Sequence, residues 1–326
     1  MVDKVVEAPL TGNHTVFLSG PPGAGKTTLA VERLRYLLSR GIPAEQVLIL
    51  VPQRTLATPY YEALSSADSP AGGQVDVATI GGLARRTLEL FWPLIAEPAG
   101  FAQPAVQPRF LTLETAQYHM DHILEPFVAQ GAFDGITIPR ARLVSQIIDN
   151  LNKAAAVDFA PDQIAARLKA AWGGESSRRR IYDQVQAVAL AFRHTCLENN
   201  LLDWSLQIQV FGQHLLPLPQ LQRYLLGGYR HLVADNTEED IPVAHDLLGN
   251  WLSLCESALV VHDTGGGYRV FLGADPQGAL ALGSTCRHKV VLTGSHVMSP
   301  QVAALGRHLA ATFGPSQGTH AISVTD

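Results

Sequence analysis

Cysteine is scarce in this chain: among 326 residues there are three, Cys196, Cys255 and Cys286. They are odd in number, widely spaced and form no C-x-x-C pair, which excludes a disulfide framework and a thiolate zinc site. Reduced, structural thiols are the expectation. The twelve histidines form neither an H-x-x-x-H pair nor an HExxH stretch, so no histidine-held metal is expected. Long apolar runs are missing too. Nothing approaches the ~18 consecutive apolar residues that cross a bilayer, and the start "MVDKVVEAPL" has no charged residues leading into an apolar signal core. A cytoplasmic protein with no membrane partner is expected. A formal net charge of -5 excludes coating nucleic acid by charge alone, although a local basic stripe on an acidic protein stays open. No repeat of fixed period occurs, and the only low-complexity stretch is the polar tail "GPSQGTHAISVTD".

What is present is enough apolar material, 47% of the chain, for a sizeable core and two domains. From Thr15 to about Leu90 the apolar stretches "TVFLSG", "VLILVP" and "VDVATI" alternate with amphipathic helical ones, the pattern of a parallel α/β sheet with crossover helices. From about Phe91 to Trp204 strands give way to helical spacing broken by Gly and Pro. Strands return after Ser205 in "HLVADN", "SALVVHD", "YRVFLGA" and "KVVLTG". Three segments follow: residues 1–90 and 205–326 as two parts of one α/β domain, and 91–204 as an all-helical insertion.

The strongest chemical signal is "GPPGAGKTT", residues 20 to 28, which fits G-x-x-x-x-G-K-[ST] between a strand and a helix. Gly20, Gly23 and Gly25 let the backbone aim successive N–H groups at a phosphate, and the helix N-terminus adds partial positive charge. Lys26 is placed for the β- and γ-phosphates, Thr27 for magnesium, and Thr28 follows it in the loop. The bland alternative is a Gly-Pro turn that caps a helix. Asp235 ends the apolar stretch "RHLVAD" and is a second magnesium candidate. Its alternative role is a cap for the helix that follows. Both roles are compatible.

In order and spacing, the phosphate loop, "VLILVPQRTLA", "VDVATIGGLARR", "ENNLLDWSLQI", "YRHLVADNTEED", "SALVVHDTGGGYRVFLGADP" and "VVLTGSHVMSPQVAALGRHL" resemble the N-terminal half of superfamily 1 helicases of the UvrD/Rep type and their AddB-like relatives. That resemblance covers nearly the whole chain. It implies a RecA-like P-loop domain that binds ATP, magnesium and single-stranded DNA, interrupted by a helical subdomain of the helicase 1B type. It also implies that a second RecA-like domain, or a second helicase or nuclease subunit, completes a motor. By the same likeness Gln53, Arg54 and Thr79 become candidates for DNA contact, with Arg54 equally well a solvated helix-start residue. Arg85, Arg86 and the "RRR" at 178 to 180 have the same bland reading.

The departures concern hydrolysis. The family pattern resembles DExQD, with a glutamate after the magnesium aspartate, whereas this chain has Asp235, Asn236, Thr237, Glu238 and Glu239. Asparagine cannot take a proton from water, and losing a general base costs ~10²–10⁴-fold in rate. Rescue would need Glu238 or Glu239 to turn inward; otherwise they form an acidic first turn that complements a helix dipole. Glycine stands at 266, where the family's γ-phosphate glutamine belongs, in a run of glycines that reads as a hairpin turn, while Asp263 and Tyr268 of that segment are retained. Ser295, His296 and Val297 replace a segment like NYR; His296 can stack on a base, but Val297 carries no charge. The expected function is Mg-ATP binding in a helicase or translocase domain for DNA repair or recombination, with feeble hydrolysis. The alternatives are a scaffold subunit without motor activity and, further off, a small-molecule P-loop kinase.

Overall fold

The structure, a computed structural model, describes residues 3–66, 73–174 and 179–313. Arg178 and the polar tail lie outside the described residues. The chain divides into two compact units, residues 1–80 with 222–326, and residues 81–221. The boundaries expected at 90 and 204 fall inside one helix and at the head of another.

The first unit is an α/β, RecA-like domain built on six parallel strands: β1 (His14–Gly20), β2 (Val47–Leu50), β3 (Asp76–Ala78), β6 (His231–Ala234), β7 (Ser257–Asp263) and β8 (His288–Val291). Their order is β3-β2-β6-β7-β1-β8. Side chains alternate across the sheet, and both faces are covered, as parallel sheets require. On one face Val16, Leu18, Ile49, Val233 and Leu259 pack against the helices α1 (Lys26–Ser39) and α2 (Thr58–Leu64) through Ala30, Leu34 and Tyr60. On the other, Phe17 stacks on His262 and closely meets Gly283 of α11 (Pro276–Thr285), which packs with α10 (Pro242–Leu252). The consequence for the site is the position of β7. It lies between the strand that feeds the phosphate loop and the strand that ends at Asp235.

The second unit holds most of α3 (Ile80–Ile95), then α4 (Leu113–Ala129), α5 (Arg140–Ala156), α6 (Ile164–Ala171), α7 (Arg179–Glu198), α8 (Trp204–Val210) and the start of α9 (Pro219–Gly228). Met120, Leu124, Ile147, Leu151 and Phe192 are fully buried in it. Asp203 caps α8 through the amides of Ser205 and Leu206 and pairs with the buried Arg193 at 3.1 Å. The unit is not purely helical, contrary to expectation. A short parallel pair, β4 (Arg109–Phe110) with β5 (Leu201–Leu202), forms where Asn200 takes a left-handed φ of 52° and turns the end of α7 back beside residue 109. Trp204 is 38% exposed at the head of α8.

Two further expectations are corrected. "YRVFLGA" is not a strand but a 3-10 turn over Tyr268–Leu272, and the glycine run before it makes no hairpin. Gly267 and Gly273 bracket the turn with φ of 83° and 97°, which takes the backbone out of extended geometry at both ends. The last helix among the described residues is α12 (Pro300–Phe313). All three cysteines are buried and free. Burial pushes the Cys255 thiol up to about 11, so it is inert as a nucleophile. No helix among the described residues is long and apolar enough to cross a membrane.

Candidate nucleotide-binding site

Strand β1 ends at Gly20, directly opposite Asp263 in the register with β7. The loop then turns on Gly23 and Gly25, with φ of 72° and 83°. At Gly23 a side chain is disfavoured by the left-handed φ, and its Cβ would lie 2.1 Å from the Val297 Cγ2 atom and force that side chain to move. Helix α1 starts at once on Lys26, with no side-chain cap and no acid in its first turn. Its first N–H groups and its positive end are thus available to an anion. They face a cavity of about 600 Å³ walled by the loop from Gly23 to Leu29 and by Asn236, Asp263, Leu292, His296 and Val297.

Lys26 is 6% exposed, and its ammonium spends its three protons on Gly20 O at 2.9 Å, Pro21 O at 2.7 Å and Asp263 Oδ1 at 2.6 Å. At the end of β6, Asp235 is 1% exposed. Its Oδ2 accepts from the Tyr60 hydroxyl at 2.8 Å, its Oδ1 from the Asn236 amide at 2.9 Å, and Thr27 also bonds to it. Burial raises the Asp235 pKa, and these bonds and the Lys26 charge oppose that shift. The two magnesium candidates, Thr27 and Asp235, are therefore already joined. A hydroxyl and one carboxylate, completed by phosphate oxygens and water, is a donor set that suits Mg2+. Among the described residues no group of three or more His, Cys, Asp or Glu gathers for a different metal. The capping alternative for Asp235 is not seen: its carboxylate faces the loop and Tyr60, and α10 begins only at Pro242.

The hydrolytic half of the site is built differently. Asn236 lines the cavity from a left-handed φ of 57°. Neither glutamate expected to rescue hydrolysis is among the cavity's lining residues. Glu238 is 2% exposed, and its Oε2 accepts from the Asp263 amide at 2.9 Å. Burial pushes its carboxyl up to about 8 against that bond, with the nearby carboxylates Asp263 and Asp235 adding to the rise. Glu239 accepts from the amides of Gly267 and Tyr268 at 3.0 and 3.2 Å. Both acids staple the turn after β7. That is their correction: they hold backbone, and the inward turn that rescue needs is absent. Gly266 has no room for the family's glutamine, since a Cβ there would sit 2.8 Å from Glu238 Cγ.

His296 donates its backbone amide to Gly23 O at 2.8 Å, and both His296 and Thr28 are exposed residues of the cavity lining. Gln53, half-buried, and Arg54, exposed, follow β2, and the half-buried Thr79 follows β3. All three follow the carboxyl ends of parallel strands, as the phosphate loop does, yet none lines the cavity. Asp263, which the sequence shows only as a retained position of its segment, is bonded to Lys26 and walls the cavity. Its signal was available, since "SALVVHD" is an apolar strand ending in an acid just as "HLVAD" is.

Residues 3–91 match the family model of the DEAD/DEAH box helicases. The matched stretch holds the phosphate loop, Gln53, Arg54 and Thr79, and ends inside α3. This part of the chain is helicase-like, a nucleotide-binding P-loop fold of the helicase kind. No curated protein matches the chain.

Proposed function

We propose that the chain is the ATP-binding domain of a UvrD/Rep-type DNA helicase or translocase, acting on single-stranded DNA in repair or recombination, with slow hydrolysis. The observation that carries the binding half is that Lys26 and Thr27 line one cavity beside an uncapped helix N-terminus, with the buried Asp235 bonded to Thr27 behind its wall. Gly20, Gly23 and Gly25 shape the phosphate cradle, Thr27 and Asp235 hold magnesium, and His296 is placed to stack on the base. Gln53, Arg54 and Thr79 supply the DNA contacts at the carboxyl ends of the strands. A second reading, a scaffold subunit that holds ATP and DNA without motor activity, is favoured by Asn236, Gly266 and Val297 in the hydrolytic half. In either reading the natural partner is a second RecA-like domain or a second helicase or nuclease subunit.

The test is binding of a fluorescent ATP analogue with Mg2+, wild type beside Lys26→Ala. A hydrogen bond to a charged group contributes ~1.5–3 kcal/mol, so affinity should fall ~10–100-fold. Equal affinity in the two proteins sinks the proposal.

A further inference from the structure

We propose that Asp263 activates the attacking water, so that the acid of this site stands at the end of β7 and not, as the sequence pattern led one to seek it, at the end of β6. This rests on the reading of the cavity as an ATP site and adds the residue that works there. Asp263 is the only acid among the residues that wall the cavity. Its strand lies between the loop strand and the Asp235 strand, which puts its carboxylate at the centre of the site. The neighbouring acids are committed elsewhere: Asp235 to Tyr60, Thr27 and Asn236, Glu238 to the Asp263 amide, Glu239 to the amides of Gly267 and Tyr268. The Glu238 bond also fixes the backbone from which the Asp263 side chain projects.

The Lys26 pair supplies the trigger. With the cavity empty, Asp263 Oδ1 takes one of the three ammonium protons at 2.6 Å. Phosphate oxygens of ATP replace that carboxylate on the lysine and free it inside the same cavity. In the step that follows, a water oxygen bonds to the γ-phosphorus while Asp263 accepts the water proton. The bond from the γ-phosphorus to the β,γ-bridging oxygen breaks, and its electron pair leaves with ADP. The products are ADP and inorganic phosphate, and Asp263, whose side chain is 21% exposed, returns its proton to solvent. The shorter acid and the missing contacts at Gly266 and Val297 keep the step slow.

The experiment uses the purified chain with two separate readouts, binding of the fluorescent ATP analogue and phosphate release at saturating Mg-ATP, with Lys26→Ala as the zero. Asp263→Asn should bind ATP as tightly as wild type or tighter, because Lys26 loses its anionic competitor. Its phosphate release should fall ~10²-fold or to the zero. Adding Asn236→Glu to Asp263→Asn should restore release, since that change returns an acid to the site but cannot mend an anchor for Lys26. Asp263→Asn releasing phosphate at the wild-type rate overturns the proposal, as does wild-type release at the Lys26→Ala level. Where Asn236→Glu alone raises release, a loss that it leaves unrestored in Asp263→Asn also overturns the proposal and reduces Asp263 to the lysine's partner. Failure of the wild type to bind ATP is a different result, and defeats the parent reading of the cavity.

Discussion

In the phosphate-binding half of the site Lys26 has every proton bonded and Thr27 reaches Asp235, whereas in its hydrolytic half, which is defined by role and not by place, positions 236, 266 and 297 present an amide, a hydrogen and an isopropyl group. The two halves ask different things of the sequence. A phosphate is held largely by backbone N–H groups and one lysine, so a few glycines in the right places suffice. Moving a proton and stabilising the transition state need particular side chains at particular points. The hydrolytic half lacks those at three positions and offers Asp263 instead.

The largest effect should come from breaking the phosphate-binding half. Asp235→Ala removes the magnesium carboxylate and leaves the Tyr60 hydroxyl and the Asn236 amide without their buried acceptor. Unsatisfied buried donors cost ~1–3 kcal/mol each, so stability in urea should fall by on the order of 3 kcal/mol. Mg2+ should then no longer tighten ATP binding. Asp235→Asn separates the two effects, keeping most of the stability while losing the Mg2+ dependence. If Asp235→Asn still binds ATP more tightly with Mg2+ than without, Asp235 is not the metal's carboxylate.

Next comes an attempt to complete the hydrolytic half. Asn236 occupies a left-handed φ of 57°, which asparagine tolerates and glutamate does not favour. That conformation costs ~1–2 kcal/mol for an ordinary side chain, a penalty thermal melts of Asn236→Glu should register. Phosphate release should nevertheless rise ~10-fold, short of the ~10²–10⁴-fold that a well-placed base confers, because Gly266 and Val297 are unchanged. Unaltered release with ATP binding intact would mean that the end of β6 does not face the reacting water.

Glu238 sharpens the comparison through pH. Its carboxyl is raised from 4.5 to about 8 by burial, so the folded state holds the proton more tightly than the unfolded one. The stability this confers is complete below pH 4.5 and is lost as pH climbs towards 8. Glu238→Gln has no proton to lose and keeps an oxygen for the Asp263 amide. Its advantage over wild type in urea melts should therefore grow between pH 5 and pH 9, by ~2 kcal/mol. The acid side is governed by different groups: His231 and His262 are lowered to about 4, chiefly by burial, so their contribution disappears as pH falls from 6.5 towards 4 in both proteins. An advantage that does not change with pH would show that Glu238 stays neutral or stays charged throughout.

These particulars also mark what the sequence could show. The phosphate loop is legible because its residues are contiguous and its flanking strand and helix are local. Asp235 is legible as an acid ending an apolar run. Asp263 ends an equally apolar run, but its importance comes from β7 inserting between β1 and β6, a pairing that no local pattern encodes. "YRVFLGA" has the composition of a strand, and two glycines at positive φ turn it into a 3-10 segment. Glu238 and Glu239 were candidates because they are acids near the right position. Only the fold reveals that the amides after β7 had claimed them.

The smallest effect belongs to a contact that spans 175 residues. Tyr60 is fully buried in α2, and its hydroxyl fixes Oδ2 of Asp235 while Oδ1 is held by the Asn236 amide. A carboxylate gripped on both oxygens presents a fixed set of lone pairs to a metal, so Tyr60 is a positioning residue of the phosphate-binding half. Tyr60→Phe keeps the ring in the core and removes the bond. At about 1 kcal/mol for one hydrogen bond, the Mg2+ concentration that half-saturates ATP binding should rise ~5-fold, while ATP affinity without Mg2+ stays as it was. A Mg2+ titration that overlays the wild type would make Tyr60 a core-filling residue whose hydroxyl merely found the nearest acceptor. A shift seen equally without Mg2+ would mean that the phosphate cradle itself had moved.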